Sequence, residues 1–422
     1  MSEVADPEVL DSALLLHAWE TMVNDECVPE DFLEPLSGNI NYPSGKKPQQ
    51  IPDAAFFKLT GDNAGARDVT IPLFKNFVGA MQEGDLIDMR GNEESLVQKS
   101  FKMQCNTIAH AHTAENYGNT AREKAPYKFT EASAKKEGIY FKEYFGKYRR
   151  QALVEVQSSN LLEYPHYNSA ALNPNWFVAG VDDDDQPSYS MVYQNFCDNL
   201  VHAMNTAGTE VDAAVSPHFI NRLQEWCFDR LDPLEDGDGQ YFILSLPSPQ
   251  VTWLKHPVNE RGFGQMLRQN FDGKTLPRYH LPGLVFAVDK MVIVEDMRYP
   301  TATISGTPSA SAGTHDGTLT IQYRGPGRAD DGSSDPRDKT ASGRQLGMVI
   351  GKGALCEWFP EKLHQEYDFK EYDRKYGTGL FGIYGVKACI YDQTDTTHSY
   401  TTQYMGSAVV AMAKPPRSGY SS

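Results

Sequence analysis

Alternating apolar and polar residues mark two stretches near the start of the chain, at residues 68–74 and 100–106. Their apolar positions are Val69, Ile71 and Leu73 in the first stretch and Phe101, Met103 and Cys105 in the second. Side chains two positions apart share one face of a strand, so both stretches are predicted to be β-strands. About two dozen residues separate them, far more than an ordinary hairpin turn contains. The pattern predicts an unusually long hairpin, and Pro72 favours an edge strand.

Helical periodicity is strongest over residues 130–159, where Thr130 can cap the first turn. The apolar stripe of this predicted helix consists of Phe141, Phe145, Tyr148, Ala152 and Val156. At about 1.5 Å per residue the helix would be on the order of 40 Å long. Gly138 and Gly146 lie inside it. They would allow either bending or close helix packing, and both interpretations stay open.

The rest of the chain mixes shorter elements. The predicted helices are residues 191–206, a helix starting at Ser216-Pro217 and a short segment at 343–358, and the predicted strands are 241–246, 284–294 and 380–391. Residues 27–50 are predicted to be irregular, and residues 301–345 form a Ser/Thr/Gly/Asp-rich surface excursion. No strand–helix–strand rhythm is visible, so the predicted fold class is α+β.

Composition narrows the class of protein. The chain has 422 residues, 40% of them hydrophobic, which is enough for two or three compact units. A formal charge of −17 argues against a protein that coats DNA through a basic face, but not against one that encloses it. The six cysteines are scattered and are expected to be reduced thiols. We also expect no signal peptide and no membrane partner, because the chain contains no long apolar run.

A metal centre is the one chemical site that the sequence suggests. In a strand, His110 and His112 would share a face, with Glu115 nearby. No third or fourth ligand follows at a recognisable spacing, so histidines satisfied by polar partners at the base of the hairpin are the favoured interpretation. Phosphate-loop, nucleophile and dinucleotide motifs are missing. The prediction is therefore a protein that is not an enzyme, with no catalytic residue, metal or cofactor.

Several segments occur in a characteristic order: Arg67–Leu73, Gly79, Glu83–Asp85, Arg90–Leu96, Ile108–His110, Gly351–Leu355, Glu371–Gly377 and Leu380–Lys387. In this order they resemble the major capsid proteins of tailed phages with the HK-97-like fold, and among them the N-4-like podophage family. The resemblance extends from about residue 66 to residue 391. It implies a chain made of an arm, a long hairpin, a long helix and a mixed α/β body.

The resemblance also implies a division into domains. The expected parts are an N-terminal arm (1–60), an extended-loop hairpin (61–115), a peripheral domain (116–206) with a spine helix (130–159), an axial domain (207–345) with the surface excursion (301–345), a returning peripheral segment (346–395) and a C-terminal tail (396–422). The spine helix would present Phe141, Phe145, Tyr148 and Val156.

The function implied by the resemblance is that of a major capsid protein of the virion. Copies would form hexamers and pentamers of an icosahedral shell in the host cytoplasm, around double-stranded DNA that is contacted without sequence specificity. A portal and, as further partners, scaffolding or decoration proteins are expected, without cross-linking of the shell. The alternatives are a tail or baseplate structural protein, and a cytoplasmic metal-binding enzyme centred on His110 and His112.

The hairpin is the expected contact between subunits, because two strands alone bury too little apolar surface to be stable. The contact residues would be Val69, Ile71, Leu73, Arg90, Gly91, Asn92, Glu93, Glu94, Phe101 and Met103. On this hypothesis Phe101, Met103 and Cys105 gain their burial on a neighbouring copy.

Overall fold

A computed structural model describes sixteen segments of the chain. They are residues 34–41, 54–60, 68–74, 98–114, 126–154, 176–181, 187–191, 215–236, 239–255, 284–288, 290–305, 318–323, 343–370, 375–391, 403–404 and 406–413. Within these segments no helix combines the length and the hydropathy needed to cross a membrane.

The described elements are mostly strands. In chain order they are β1 Ser37–Asn41, β2 Phe56–Thr60, β3 Asp68–Phe74, β4 Gln98–Gln104, β5 Asn106–Ala114, β6 Trp176–Val181, β7 Pro187–Met191, β8 Leu234–Asp236, β9 Gly239–Pro247, β10 Leu284–Val288, β11 Met291–Asp296, β12 Thr301–Ser305, β13 Thr318–Gln322, β14 Gly343–Ile350, β15 Leu355–Lys370, β16 Lys375–Ala388, β17 Ile390–Tyr391, β18 Gln403–Tyr404 and β19 Ser407–Met412. The helices are α1 Pro126–Val154, α2 Pro217–Arg230 and α3 Ser248–Leu254, and a 3₁₀ turn, Glu34–Leu36, precedes β1.

One sheet has five strands in the order β1-β2-β15-β16-β5. Strand β2 runs parallel to β1 and β15, whereas β16 is antiparallel to both of its neighbours. Both faces of this sheet are covered, as successive residues of β2 show. Phe56 belongs to a core that includes α1, and Phe57 belongs to a separate core on the other face. Alternation along a strand sends neighbouring side chains to opposite faces, so an apolar pair is required here.

The second sheet follows the path β10-β11-β9-β14-β19-β6-β7, with β8, β12 and β13 attached. Strand β9 is buried on both faces. Ile243 joins the core that includes α1, and Phe242 and Leu244 join the core formed with α2 and α3. Helix α2 begins as the sequence predicts, since the Ser216 side chain accepts a hydrogen bond from the Phe219 N–H at 3.2 Å and Pro217 follows.

The elements therefore stack in layers. Helix α1 packs against β15, β16 and β19, and its residues share one core with both sheets. The far face of the five-stranded sheet carries the base of the β3–β4 hairpin. The far face of the larger sheet carries α2 and α3. This mixed α/β arrangement leaves α1 as the central element.

Three predictions are wrong within these layers. Residues 343–358 form β14 and the start of β15 rather than a helix. Residues 284–294 form two antiparallel strands that turn near Lys290, rather than one strand. The region 301–345 is not only a surface excursion, because β12 and β13 belong to the large sheet and Ala302 and Ile321 are buried. Threonine-rich strands carry little apolar signal, although threonine favours the strand conformation.

Other predictions have mixed outcomes. The strand at 68–74 is confirmed, and residues 241–246 and 380–391 lie in confirmed strands. The long helix begins at Pro126 and ends at Val154, so Thr130 lies inside it and does not cap it. The irregular region at 27–50 contains β1, which is a correction. The helix predicted at 191–206 is wrong at Met191, which is the last residue of β7. Its other residues lie outside the described segments.

Candidate assembly surface

Strands β3 and β4 form the two-stranded antiparallel hairpin that the alternation predicts. Val69 lies opposite Met103, and Ile71 lies opposite Phe101. The edge position predicted from Pro72 agrees with this pairing, since β4 is the one partner of β3 in the described sheets. The predicted tip residues lie outside the described segments; they are Arg90, Gly91, Asn92, Glu93 and Glu94.

The base of the hairpin is buried within its own chain. Met103 and Val69 are 0% and 4% exposed, and Cys105 is also buried. They pack against Ala54, Phe57, Leu59, Cys356, Trp358 and Cys389 on the outer face of the five-stranded sheet. The expectation that Met103 and Cys105 gain their burial on a neighbouring copy is therefore wrong. The five-stranded sheet of the same chain also covers Val69. The alternating pattern of the hairpin strands could not predict the position of that sheet.

Gly385 on β16 makes this close approach feasible. A Cβ at Gly385 would lie 2.7 Å from the Gln104 carbonyl oxygen and 2.7 Å from the Cys105 Sγ. Because a backbone atom cannot move aside as a side chain can, a larger residue would displace the end of β4. The base of the hairpin is thus fitted to the sheet at backbone level.

His110, the strongest metal-ligand candidate, is satisfied by helix α1. Its Nδ1 contacts the Glu137 carboxylate, and its ring lies 3.9 Å from the Tyr140 ring, centroid to centroid. Glu137 is buried, so this contact joins the strand that returns from the hairpin to the long helix. Among the described residues, no group of three or more His, Cys, Asp and Glu is arranged to hold a metal ion. The His112 side chain lies outside the description.

Arg149 is the centre of a buried charge cluster between α1 and the five-stranded sheet. Its Nε and Nη2 donate to the two carboxylate oxygens of Glu357 at 3.2 and 2.8 Å, and its Nη2 also donates to Glu34 at 3.0 Å. The Tyr384 hydroxyl donates to the same Glu357 at 2.7 Å. The Arg149 Cζ lies 4.6 Å from the centre of the Phe56 ring. A bidentate pair of this kind fixes orientation as well as charge.

The electrostatics of this cluster favour its charged form. Burial opposes the charge on Arg149, but Glu357 outweighs it and raises the pKa of the guanidinium. Burial likewise opposes ionisation of Glu34, yet Arg149 and Lys58 lower the pKa of that carboxylate. Lys58 on β2 also forms an ion pair with Glu34. The cluster therefore holds the segment that precedes β1 against α1 and the sheet.

Arg150, the next residue, forms a second buried ion pair on another side of α1. Its Nε and Nη2 each donate to Asp296 at 2.8 Å, and its Nη1 donates to the Gly146 carbonyl oxygen at 2.9 Å. Asp296 ends β11 in the large sheet and also accepts a hydrogen bond from the Arg298 N–H at 2.8 Å. Glu143 on α1 pairs with the Arg298 side chain at 3.3 Å. This end of the helix is therefore bound to the larger sheet.

The two arginines bind α1 to two different sheets because adjacent residues of a helix point about 100° apart. The partners of Arg149 and Arg150 are 208 and 146 residues distant in sequence, so no local pattern indicated them. One signal in the sequence could have indicated buried ion pairs. Arg149 and Arg150 are consecutive and lie next to the apolar stripe, and arginines buried there would need acidic partners.

Neither a protein-family model nor a curated protein matches this chain. Solved structures do match. The capsid of Ralstonia phage GP4 is 13% identical with a TM-score of 0.54, over 86% of this chain and 88% of that one. The head structure of Helicobacter pylori bacteriophage KHP40 is 13% identical with a TM-score of 0.52, over 85% of this chain and 88% of that one. The acid-stable capsid structure of Helicobacter pylori bacteriophage KHP30 is 13% identical with a TM-score of 0.53, over 91% of each chain. The fold is that of phage capsid proteins.

In this capsid fold, the predicted stripe of the long helix faces the shared core. Phe141, Phe145 and Ala152 are buried and Tyr148 is half-buried, which confirms the stripe over the described part. Val156 lies outside the described segments. The opposite side of α1 is exposed at Lys135, Lys136 and Ile139. The helix therefore has a structural face and a surface face.

Proposed function

We propose that this protein is the major capsid protein of a tailed bacteriophage. The single observation that carries the proposal is the extent of its likeness to the capsid of Ralstonia phage GP4, which covers 86% of this chain and 88% of that chain at a TM-score of 0.54. A likeness that spans both chains almost completely concerns the whole architecture rather than one shared motif.

The finer parts of the proposal come from the sequence resemblance. The fold is of the HK-97-like type and the family is that of the N-4-like podophages. We propose the arm at 1–60, the extended-loop hairpin at 61–115, the peripheral domain at 116–206 with the returning segment 346–395, the axial domain at 207–345 and the tail at 396–422. Helix α1 is the spine helix of this arrangement.

The hairpin carries the main contact between subunits, with a division of roles along its length. Its base, with Val69 and Met103, is anchored on the subunit's own sheet and works as a fixed platform. Its outer part makes the contact through Ile71, Leu73 and Phe101, and its tip through Arg90, Gly91, Asn92, Glu93 and Glu94. Because the base is rigid, the charged tip is held in a defined direction before contact. Less conformational entropy is then lost when each contact forms.

The role is structural rather than catalytic. The four described cysteines are buried and form no disulfide bond, and burial raises the pKa of Cys389 to about 12. Such a thiol is not a ready nucleophile. The proposed assembly consists of hexamers and pentamers in the virion, formed in the host cytoplasm around double-stranded DNA. Its other partners are a portal and scaffolding or decoration proteins.

Electron microscopy of the purified, concentrated full-length protein tests the proposal. Closed shells of uniform size are the expected result. Tubes or rings would instead indicate a tail or baseplate protein, and dispersed particles containing zinc would indicate the metal-binding alternative. Either of those outcomes would overturn the capsid assignment.

A matched pair of variants tests the role of the hairpin tip. Glu93→Lys with Glu94→Lys is expected to abolish shells while leaving the circular dichroism of the unassembled chain unchanged. The control, Glu225→Lys with Glu235→Lys, makes the same charge change at exposed positions on α2 and β8. Shells that persist in the tip variant, or vanish equally in the control, would contradict the role of the tip.

A further inference from the structure

Helix α1 presents an exposed cationic surface over its first half, which we call the lysine face. It consists of Lys135, Lys136 and Ile139. Lys135 and Lys136 are exposed. Ile139 is 40% exposed and, with Met297, is one of two exposed large apolar side chains among the described residues. Three and four residues are the spacings at which helix side chains are neighbours, so both lysines are neighbours of Ile139.

Two described acids of α1 near this face are engaged elsewhere, and one of them, Glu137, contacts His110. Glu143, four residues beyond Ile139, pairs with Arg298 at 3.3 Å. Lys135 and Lys136 thus place two exposed positive charges side by side in a chain whose formal charge is −17. A cationic patch on an acidic protein attracts an anionic partner at short range, and the apolar side chain at its centre adds a contact that simple counter-ions do not use.

The chain itself contains a polyanion of the required kind. Residues 1–33 contain nine Asp or Glu residues and no Lys or Arg, and the first basic residue of the chain is Lys46. The same segment contains the apolar residues Val9, Leu10, Ala13 and Leu14 among its acids. Its chemistry therefore complements both the lysines and the exposed isoleucine.

The point at which this segment enters the described structure is bound to the helix that carries the lysine face. Glu34 is hydrogen-bonded to Arg149 at 3.0 Å, on the same helix. Arg149 is thirteen residues along α1 from Lys136, which is about 20 Å at 1.5 Å per residue. An extended chain of about six residues covers that distance. Attachment at Glu34 therefore holds residues 1–33 at a high effective concentration near the lysine face.

We propose that the acidic segment, residues 1–33, binds the lysine face of α1 in its own chain. The binding neutralises the exposed cationic surface of the helix and directs the arm along α1. The proposal goes beyond the capsid function and does not depend on it, since the tether and both charged surfaces belong to a single chain.

Zero-length carbodiimide cross-linking of the full-length chain tests the proposal, because it joins a lysine amine to a carboxylate only when the two are in contact. An equal mixture of ordinary and ¹⁵N-labelled protein is used, and the cross-linked peptides are identified by mass spectrometry. The expected products join Lys135 or Lys136 to acids of residues 1–33 within one isotopic species, with a lower yield at high salt. No such products, or products that join the two species, would overturn the proposal.

Matched charge reversals separate a specific contact from general attraction. Lys135→Glu with Lys136→Glu is expected to lower the cross-links from segment 1–33 to α1, read at Lys142, by about tenfold, because two attractions become repulsions. The control Lys255→Glu with Lys362→Glu alters two exposed lysines elsewhere and is expected to leave the yield unchanged. Equal losses in both variants would overturn the proposal.

The alternative polyanion is nucleic acid. Fluorescence anisotropy with a short DNA duplex is expected to show no binding that depends on Lys135 and Lys136. Duplex binding that disappears in the Lys135→Glu, Lys136→Glu variant but not in the control would assign the face to DNA and overturn the proposal. Shell formation, seen by electron microscopy, measures the capsid function separately from all of these outcomes.

Discussion

The two halves of helix α1 have opposite surroundings. The second half holds Arg149 and Arg150, both almost completely buried and each in a bidentate pair with an acid of a different sheet. The first half exposes Lys135, Lys136 and Ile139. These two arginines and the exposed Lys135 and Lys136 therefore have different roles. The arginines bind the layers of the subunit together, and the lysines remain available to another surface.

The difference follows from the chemistry of the two side chains. A guanidinium can satisfy a buried carboxylate through two parallel hydrogen bonds, so arginine is suited to the pairs with Glu357 and Asp296. An ammonium is a strongly hydrated point charge on a flexible stem, which suits an exposed position. Changes in the second half of α1 should therefore affect stability, and changes in the first half should affect interactions.

The largest effect is expected for Arg149→Met. It leaves the fully buried Glu357 without its cationic partner, and the loss of one member of a buried pair costs about 3–5 kcal/mol of unfolding free energy. Chemical denaturation of the unassembled chain measures this loss. The double variant Arg149→Met, Glu357→Met should recover most of the stability, since an apolar pair needs no partner charge. If the single variant loses less than about 1 kcal/mol, the proposed role of Arg149 in binding α1 to the five-stranded sheet is contradicted.

A somewhat smaller loss is expected for Arg150→Met, about 3 kcal/mol in the same measurement. Asp296 would lose both guanidinium bonds but keep the hydrogen bond from the Arg298 N–H at 2.8 Å. Asp296→Asn combined with Arg150→Met should restore part of the loss, because an amide carries no charge to bury. Full stability in the single variant would show that the Arg150–Asp296 pair is not needed to hold α1 on the larger sheet.

The pH dependence of stability should reveal Glu34. Its pKa is lowered in the folded chain, so its contribution is present above the unfolded-state pKa of about 4.3 and is lost as the pH falls through the folded value. Glu34→Gln should make the decline of the melting temperature in acid shallower. The comparison is Glu225→Gln on the exposed side of α2. Parallel pH profiles for wild type and Glu34→Gln would contradict the cluster's role.

The smallest effect is expected for Lys135→Gln with Lys136→Gln. Both side chains are exposed, so the unfolding free energy should change by no more than about 0.5 kcal/mol. Denaturation midpoints alongside those of the arginine variants provide the measurement. A loss as large as that of Arg149→Met would remove the contrast between the two halves of α1.

Local chemistry explains which elements could be predicted. The hairpin strand at 68–74 and the start of α2 depend on neighbouring residues alone, through alternation in the first case and a Ser-Pro cap in the second. The strand at 343–350 could not be recognised in the same way. Its residues 346–350 are buried on both faces and form a short continuous apolar run, which periodicity cannot distinguish from a helix.

The candidate assembly surface divides in the same manner. Alternation indicated which hairpin residues share a face, but not that Val69 and Met103 would be covered by Phe57 and Trp358 of the same chain. The buried ion pairs of Arg149 and Arg150 could not be predicted either, because each acid lies more than a hundred residues from its arginine. Whether a given face of the hairpin is buried depends on which sheet packs against it in the folded chain.

By itself, the sequence of this protein determined the hairpin, the long helix with its apolar stripe, the resemblance to capsid proteins and the charge of each segment, because these depend on residues a few positions apart. The tertiary structure alone decided that the base of the hairpin is anchored within the subunit, and that one helix joins two sheets through adjacent arginines. Those features arise where distant segments meet in a dry interior, and there a charge persists only if the fold brings it a partner.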